Sequence, residues 1–249
     1  VLRAYGDGSL FGEPFGEGPP RVLWLHGWAR RGADFAAAGQ ILAARGIGSV
    51  ALDLPGFGAS PPPPTAAGAR GYAAAIADAV GELAGGPLVV VGHSLGGRVG
   101  VVLAATHPEL VDGLVLSGAP LLRLGAAPRA PLGYRVVRRL AGWGLVPATR
   151  LEAARRRHGS ADYRAASGVM RDVLVTMVAE SYEDELARWR GPTTLVWGAD
   201  DREVPPAVAE RARELLGGPS SLRLLEGVGH LTPSEAPGAL ADAAAELVR

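Results

Sequence analysis

Short apolar runs rich in valine and leucine recur along this chain, each closed by glycine or another turn former and followed by a stretch of helical spacing. No other feature narrows the possible folds as far. Val22 to Leu25, Gly48 to Leu52, Leu88 to Val91, Leu114 to Leu116, Thr193 to Trp197 and Leu222 to Leu225 read as strands. Phe35 to Ala44, Tyr72 to Leu83, Gly96 to Thr106, Ala207 to Leu216 and Pro237 to Val248 read as helices, the third ended by Pro108. Several strand runs have no polar alternation, as expected when helices cover both faces of a parallel sheet. The expected class is α/β, with a mostly parallel central sheet and helices on both faces. A strand near the N-terminus is only weakly signalled, because Gly and Pro crowd the stretch from Gly6 to Pro20.

The alternation stops between Ala119 and Arg190, where helix-compatible, arginine-rich stretches take over. This predicts a core of residues 1–118 and 191–249 interrupted by a helical cap, residues 119–190. The insertion holds 13 Arg against 7 Asp and Glu, so it carries +6, while the rest of the chain carries −6. The two cancel to a net charge of +0, which lacks the positive field of a nucleic-acid binder. With 249 residues the chain is long enough to bury a sizeable core. Cysteine is absent, which excludes a disulfide framework, a thiolate zinc site and a cysteine nucleophile. The first twenty residues lack a basic start and an apolar run, and no later apolar stretch reaches membrane-spanning length. The expectation is a soluble, cytoplasmic protein without membrane insertion. Every basic side chain other than histidine is arginine, which is a compositional bias, so only clusters of arginine carry weight.

The segment Gly92-His93-Ser94-Leu95-Gly96-Gly97 follows an apolar strand and opens a helical stretch. A sharp strand-to-helix turn strains its central residue and brings backbones close, which calls for glycine two positions either side of the serine. Ser94 is then presented at a helix N-terminus, where developing negative charge is favoured. A serine nucleophile needs a base. Of the five histidines, His93 adjoins the nucleophile and points elsewhere, His107 and His158 lie at a helix end and among Arg155, Arg156 and Arg157, and His26 shapes the turn after an early strand. His230, in Gly227-Val228-Gly229-His230 beyond the last strand, is the expected base. The orienting acid should end another strand, and Asp200 and Asp201 both follow Trp197-Gly198. Asp201 is preferred, with Asp200 in reserve. Ser117 and Gly118 leave the alternative acid position without a carboxylate. Oxyanion donors are expected from the amides of Leu95 and Trp28, the latter serving also or instead as a pocket wall through its ring.

These motifs resemble those of the α/β-hydrolase superfamily, and the resemblance covers nearly all of the core. Besides the elbow it includes Asp53-Leu54-Pro55-Gly56-Phe57-Gly58-Ala59-Ser60 and Gly229-His230 followed by Glu235 and Pro237. Within the superfamily the His26-Gly27-Trp28 turn is similar to that of small carboxylesterases of the pimeloyl-carrier-protein methyl esterase type, whose elbow has Trp where this chain has His93. The resemblance implies a serine hydrolase that cleaves carboxylic esters of a small-molecule acyl substrate, with no metal and no cofactor. Hydrolysis of a lactone, a thioester or a carbon–carbon bond, or a non-catalytic receptor role, remain open. Dehalogenases and epoxide hydrolases of this kind carry Asp at the position of Ser94. Arg135, Arg138 and Arg139 have the spacing of one helix face, which suggests an anionic substrate group or an acidic carrier protein as partner of the cap.

Overall fold

The computed structural model describes residues 1–248 except 84, 126–136, 138, 142, 144 and 159. Eight strands form one sheet: β1 (Arg3–Tyr5), β2 (Leu10–Phe15), β3 (Val22–Leu25), β4 (Ser49–Asp53), β5 (Leu88–His93), β6 (Val111–Ser117), β7 (Thr193–Gly198) and β8 (Ser220–Leu225), in the order β1-β2-β4-β3-β5-β6-β7-β8. From β4 to β8 every neighbouring pair is parallel, whereas β1 with β2 and β2 with β4 are antiparallel. Helices bounded by described residues are α1 (Ala36–Ala44), α2 (Ala69–Leu83), α3 (Leu95–Thr106), α4 (Ala148–His158), α5 (Ala161–Ala165), α6 (Gly168–Ala179), α7 (Glu183–Arg188), α8 (Pro206–Leu215), α9 (Thr232–Glu235) and α10 (Pro237–Leu247).

The expected α/β class holds, and the apolar runs explain why. Alternate residues of one strand go to opposite faces. Val22 and Trp24 pack with Phe35, Leu42, Leu240 and Ala244 beneath α1 and α10. Leu23 and Leu25 pack with Ile76, Val99, Val102 and Ala209 beneath α2, α3 and α8. With helices on both sides, neither set can be polar. At the N-terminus the glycines that obscured the strand signal make a hairpin. Gly6, Asp7 and Gly8 all have positive φ, and the turn joins β1 to β2.

Between β6 and β7 the described residues contain α4 to α7 and no strand. The end of this segment is fastened to the sheet layers. Tyr182, Leu186 and Trp189 are buried in the same cluster as Leu195 and Trp197, and the Tyr182 amide donates to the Leu121 carbonyl at 3.0 Å. Arg70 of α2 reaches the buried Glu185 at 2.5 Å and Glu180 at 3.5 Å, while Glu180 also accepts from the Ala69 amide. Arg135 and Arg138 of the expected basic face lie outside the described residues. The Arg139 guanidinium sits 4.9 Å over the Trp143 ring. Among the described residues no helix is long and apolar enough to cross a membrane.

At the end of β4 a buried carboxylate organises two loops. Asp53 Oδ1 accepts from the Gly32 amide and Oδ2 from the Ala59 amide, both at 2.8 Å. Ser60 closes the same turn, donating to the Asp53 carbonyl and accepting from the Phe11 amide. Changing Asp53 to Ala leaves the buried Gly32 amide without an acceptor and the exposed Ala59 amide to water, and the expected loss of unfolding free energy is about 2 kcal/mol. Asp53→Asn, which keeps an acceptor, should lose clearly less in urea unfolding curves.

Candidate active site

The strands end in step beside one another: Leu25 of β3 lies opposite Gly92 of β5, and His93 lies opposite Ser117 of β6. Ser94 therefore leaves the sheet in its middle. Its backbone has φ 50° and ψ −110°, outside the ordinary regions for a residue with a side chain. Such a conformation costs of order 1–3 kcal/mol and persists only where the surroundings enforce it. Here the Ser94 amide donates to the Ser117 carbonyl at 2.8 Å and the Gly96 amide to the His26 carbonyl at 2.9 Å. A Cβ on Gly96 would run into the Leu25 carbonyl, and one on Gly92 would run into the Gly96 carbonyl. Only glycine permits both approaches.

His230 lies in the loop after β8. Its Nδ1–H donates to Asp201 Oδ2 at 2.8 Å, and Asp201 is almost fully buried. The other oxygen of that carboxylate accepts from the Glu203 and Val204 amides at 2.9 and 2.8 Å. The Trp197 indole holds the same loop through the Val204 carbonyl. Asp200 is exposed. Glu235 brackets the histidine from the other side, with its two oxygens accepting from the Gly229 and Leu231 amides at 2.6 and 3.1 Å. The imidazole is thus fixed at its edge and at both neighbouring peptides.

Ser94, His230, Trp28 and Leu95 line one recess of about 210 Å³, together with Arg98, Met177 and residues on α5 and α6. Among the described residues no hydrogen bond joins His230 to Ser94. The charged group nearest the free Nε2 is Glu203, at 3.7 Å, whose side chain is otherwise exposed. The Trp28 ring packs edge-on against Phe57 at 5.0 Å and forms a wall. His26 has both ring nitrogens engaged, Nδ1–H donating to the Gly27 carbonyl and Nε2 accepting from the Leu54 amide. It braces the loop that carries Trp28.

Residue patterns did not single out Glu203 or Arg98. Arg98 was legible in principle, since it stands four residues after Ser94 and shares its helix face. Glu203 was not, because its approach to His230 depends on the course of the loop after β7. His93 behaves differently from a surface histidine: it is buried, and its ring lies 4.9 Å from that of His230. Gly118 allows this approach, since a Cβ there would come within 3.1 Å of both imidazoles.

Residues 22–243 match the model of the alpha/beta hydrolase family, and the chain belongs to that family. Over 108 residues it is 43% identical to a pimeloyl-acyl-carrier protein methyl ester esterase of Chromobacterium violaceum, a match covering 43% of this chain and 40% of that protein. A protein of the same name from Aeromonas hydrophila is 35% identical over 133 residues, covering 51% and 50% of the two chains. The chain thus spans half or less of the length of these curated relatives. Among solved structures, an esterase from Exiguobacterium antarcticum superposes with TM-score 0.73 at 20% identity, covering 100% and 98% of the chains. A serine hydrolase involved in carbazole degradation also gives 0.73, at 23% identity over 99% and 98%. These last two are likenesses of fold.

Burial, and next the proximity of His230, push the His93 pKa down to about 3. An unfolded histidine titrates near 6.5, so between the two values the unfolded chain takes a proton that the folded chain refuses. Stability from this group is complete above pH 6.5 and falls by about 1.4 kcal/mol per pH unit below it. Burial lowers the pKa of His26 as well. Urea unfolding at pH 7 and pH 5 should show a loss on acidification that is smaller in His93→Asn by about 2 kcal/mol.

Proposed function

We propose that this protein is a serine esterase that hydrolyses carboxylic esters of a small acyl substrate through a covalent intermediate on Ser94. The observation that carries this reading is the fixed His230–Asp201 pair opening onto the same recess as a serine held in the strained elbow conformation. The names of the two curated relatives support it.

In the proposed reaction Ser94 Oγ attacks the acyl carbon while its proton passes to His230 Nε2. Asp201 keeps the proton on Nδ1 and stabilises the imidazolium that forms. The carbonyl oxygen becomes an oxyanion facing the amides of Leu95 and Trp28. Neither amide is consumed by the bonds that close the turns around it, since Gly96 donates to His26 and Arg30 to Gly27. When the tetrahedral centre collapses, the alkoxide leaves with the proton from His230. Water then repeats the sequence on the acyl-serine, releasing the acid and restoring Ser94.

Residues 1–118 and 191–249 are the catalytic core in this reading, and 119–190 the cap that shapes the substrate recess. Its excess of arginine suits an anionic substrate group or an acidic carrier protein, as the names of the relatives suggest for them. Thioesters and lactones would meet the same nucleophile, and the choice among them lies in the recess.

Two experiments test the assignment. Ser94→Ala should retain at most a few per cent of the activity on short esters, with an unchanged melting curve, and should no longer be labelled by a fluorophosphonate. A labelled wild type that turns over no ester, lactone or thioester would point to a receptor. Separately, Asp201→Asn should lower kcat by roughly three to four orders of magnitude, because the amide cannot accept from Nδ1–H. Asp200→Asn should remain near wild type, and the reverse result would move the acid by one residue.

A further inference from the structure

Arg98 differs from the other arginines in its setting. It stands one helical turn beyond Ser94 on α3, about 6 Å along the axis, so both side chains leave the same face of the helix. It lines the same recess as Ser94 and His230. Its Nε donates to the Pro120 carbonyl and its Nη1 to the Met177 carbonyl, both at 3.1 Å. Nη2 is used by neither bond. Among the described residues no carboxylate lies within ion-pairing distance of this guanidinium. Glu180 acts on it through space, but the Glu180 oxygens are occupied by Arg70, the Ala69 amide and the Tyr182 hydroxyl. Arg123 adds a second positive charge beside it while donating to the Val178 carbonyl. Of the acids lining the recess, Asp162 is exposed on α5 and Glu203 is turned toward His230.

A largely desolvated cation normally has a counter-charge. The two carbonyls fix the plane of the Arg98 guanidinium without neutralising it, and burial draws its pKa below the ordinary value. We infer that Arg98 is a carboxylate-binding residue, and that the preferred substrate is an ester whose acyl chain ends in a carboxylate. The inference rests on the esterase reading above and adds the substrate class. With the ester carbon at Ser94, a short chain running along α3 past Leu174 and Met177 brings its terminal carboxylate to Arg98. A recess of about 210 Å³ has room for such a chain.

Monomethyl glutarate and methyl pentanoate are matched in length and differ in the terminal charge. Wild type should favour the half-ester in kcat/KM by about tenfold or more. Arg98→Gln should abolish that preference, read as the ratio of kcat/KM on the two esters, and Arg98→Lys should restore part of the ratio. Equal rates on the two esters in wild type would overturn the inference. So would an equal fall on both in Arg98→Gln, because a residue that only clamps α6 to the loop after β6 affects both alike. If Arg98→Gln does not fold, inhibition of the wild type decides: glutarate should compete more tightly than pentanoate, with a salt-dependent advantage. Equal inhibition overturns the inference. If neither ester is hydrolysed, the esterase reading fails separately, and calorimetric binding of glutarate against pentanoate still decides for or against an anion site at Arg98.

Discussion

Everything at the candidate site depends on the contact between the elbow and β3. The Leu25 carbonyl occupies the space where Gly96 would carry a side chain, and the Gly96 amide is tied to His26. That approach holds α3 against the end of the sheet and keeps Ser94 in its unfavourable backbone conformation. The local strain of order 1–3 kcal/mol is offset by burial on both faces of the sheet, where Val22, Trp24, Leu23 and Leu25 are all fully enclosed. A looser core could not hold the turn. The long apolar strands are therefore a condition of the site as well as of the fold.

A second constraint is electrostatic. Two imidazoles lie 4.9 Å apart, and only that of His230 lines the recess. His93 is enclosed and has no carboxylate against it among the described residues, so it stays neutral and packs at a tilt against the other ring. His230 is supported by Asp201 at its edge and by Glu235 through the adjoining amides. The neighbouring rings thus differ because of what faces each nitrogen, and sequence adjacency to Ser94 has no bearing on which one reaches the recess.

The parallel strands were legible because burial on both sides leaves no freedom for polar residues, and the runs from Val22 to Leu225 were visible as such. The elbow was legible because its glycines answer a steric demand confined to six residues. The N-terminal hairpin was obscured, since Gly6 and Gly8 act there through positive φ, which composition does not reveal. Asp201 was preferred over Asp200 on the sequence alone, but the reason one carboxylate is held inward was not legible, because it lies in the loop, where the Glu203 and Val204 amides donate to Asp201 and the Trp197 indole holds the Val204 carbonyl. Long-range partners were the least legible. Nothing near Arg98 in sequence indicates that it meets Pro120 and Met177, because those contacts depend on how α6 returns over the sheet.

That return also argues against treating residues 119–190 as a lid independent of the core. The segment's C-terminal part is bound by Arg70 to Glu185 and Glu180, by Tyr182 to Leu121, and by the burial of Leu186 and Trp189 beside β7. Glu185 is buried while Arg70 is exposed, so removing Arg70 would leave the Glu185 carboxylate with an unmatched desolvation cost. Arg98 and Arg123 then hold the last turn of α6, the helix that supplies Leu174 and Met177 to the recess. Opening this wall as a rigid body would have to break the Arg70 ion pairs, carbonyl bonds and apolar packing together. In the proposed esterase, substrate selection would therefore fall to the shape and charge of a recess whose α6 wall is held in place, with Val175 exposed on that helix and Val178 at the rim of the recess.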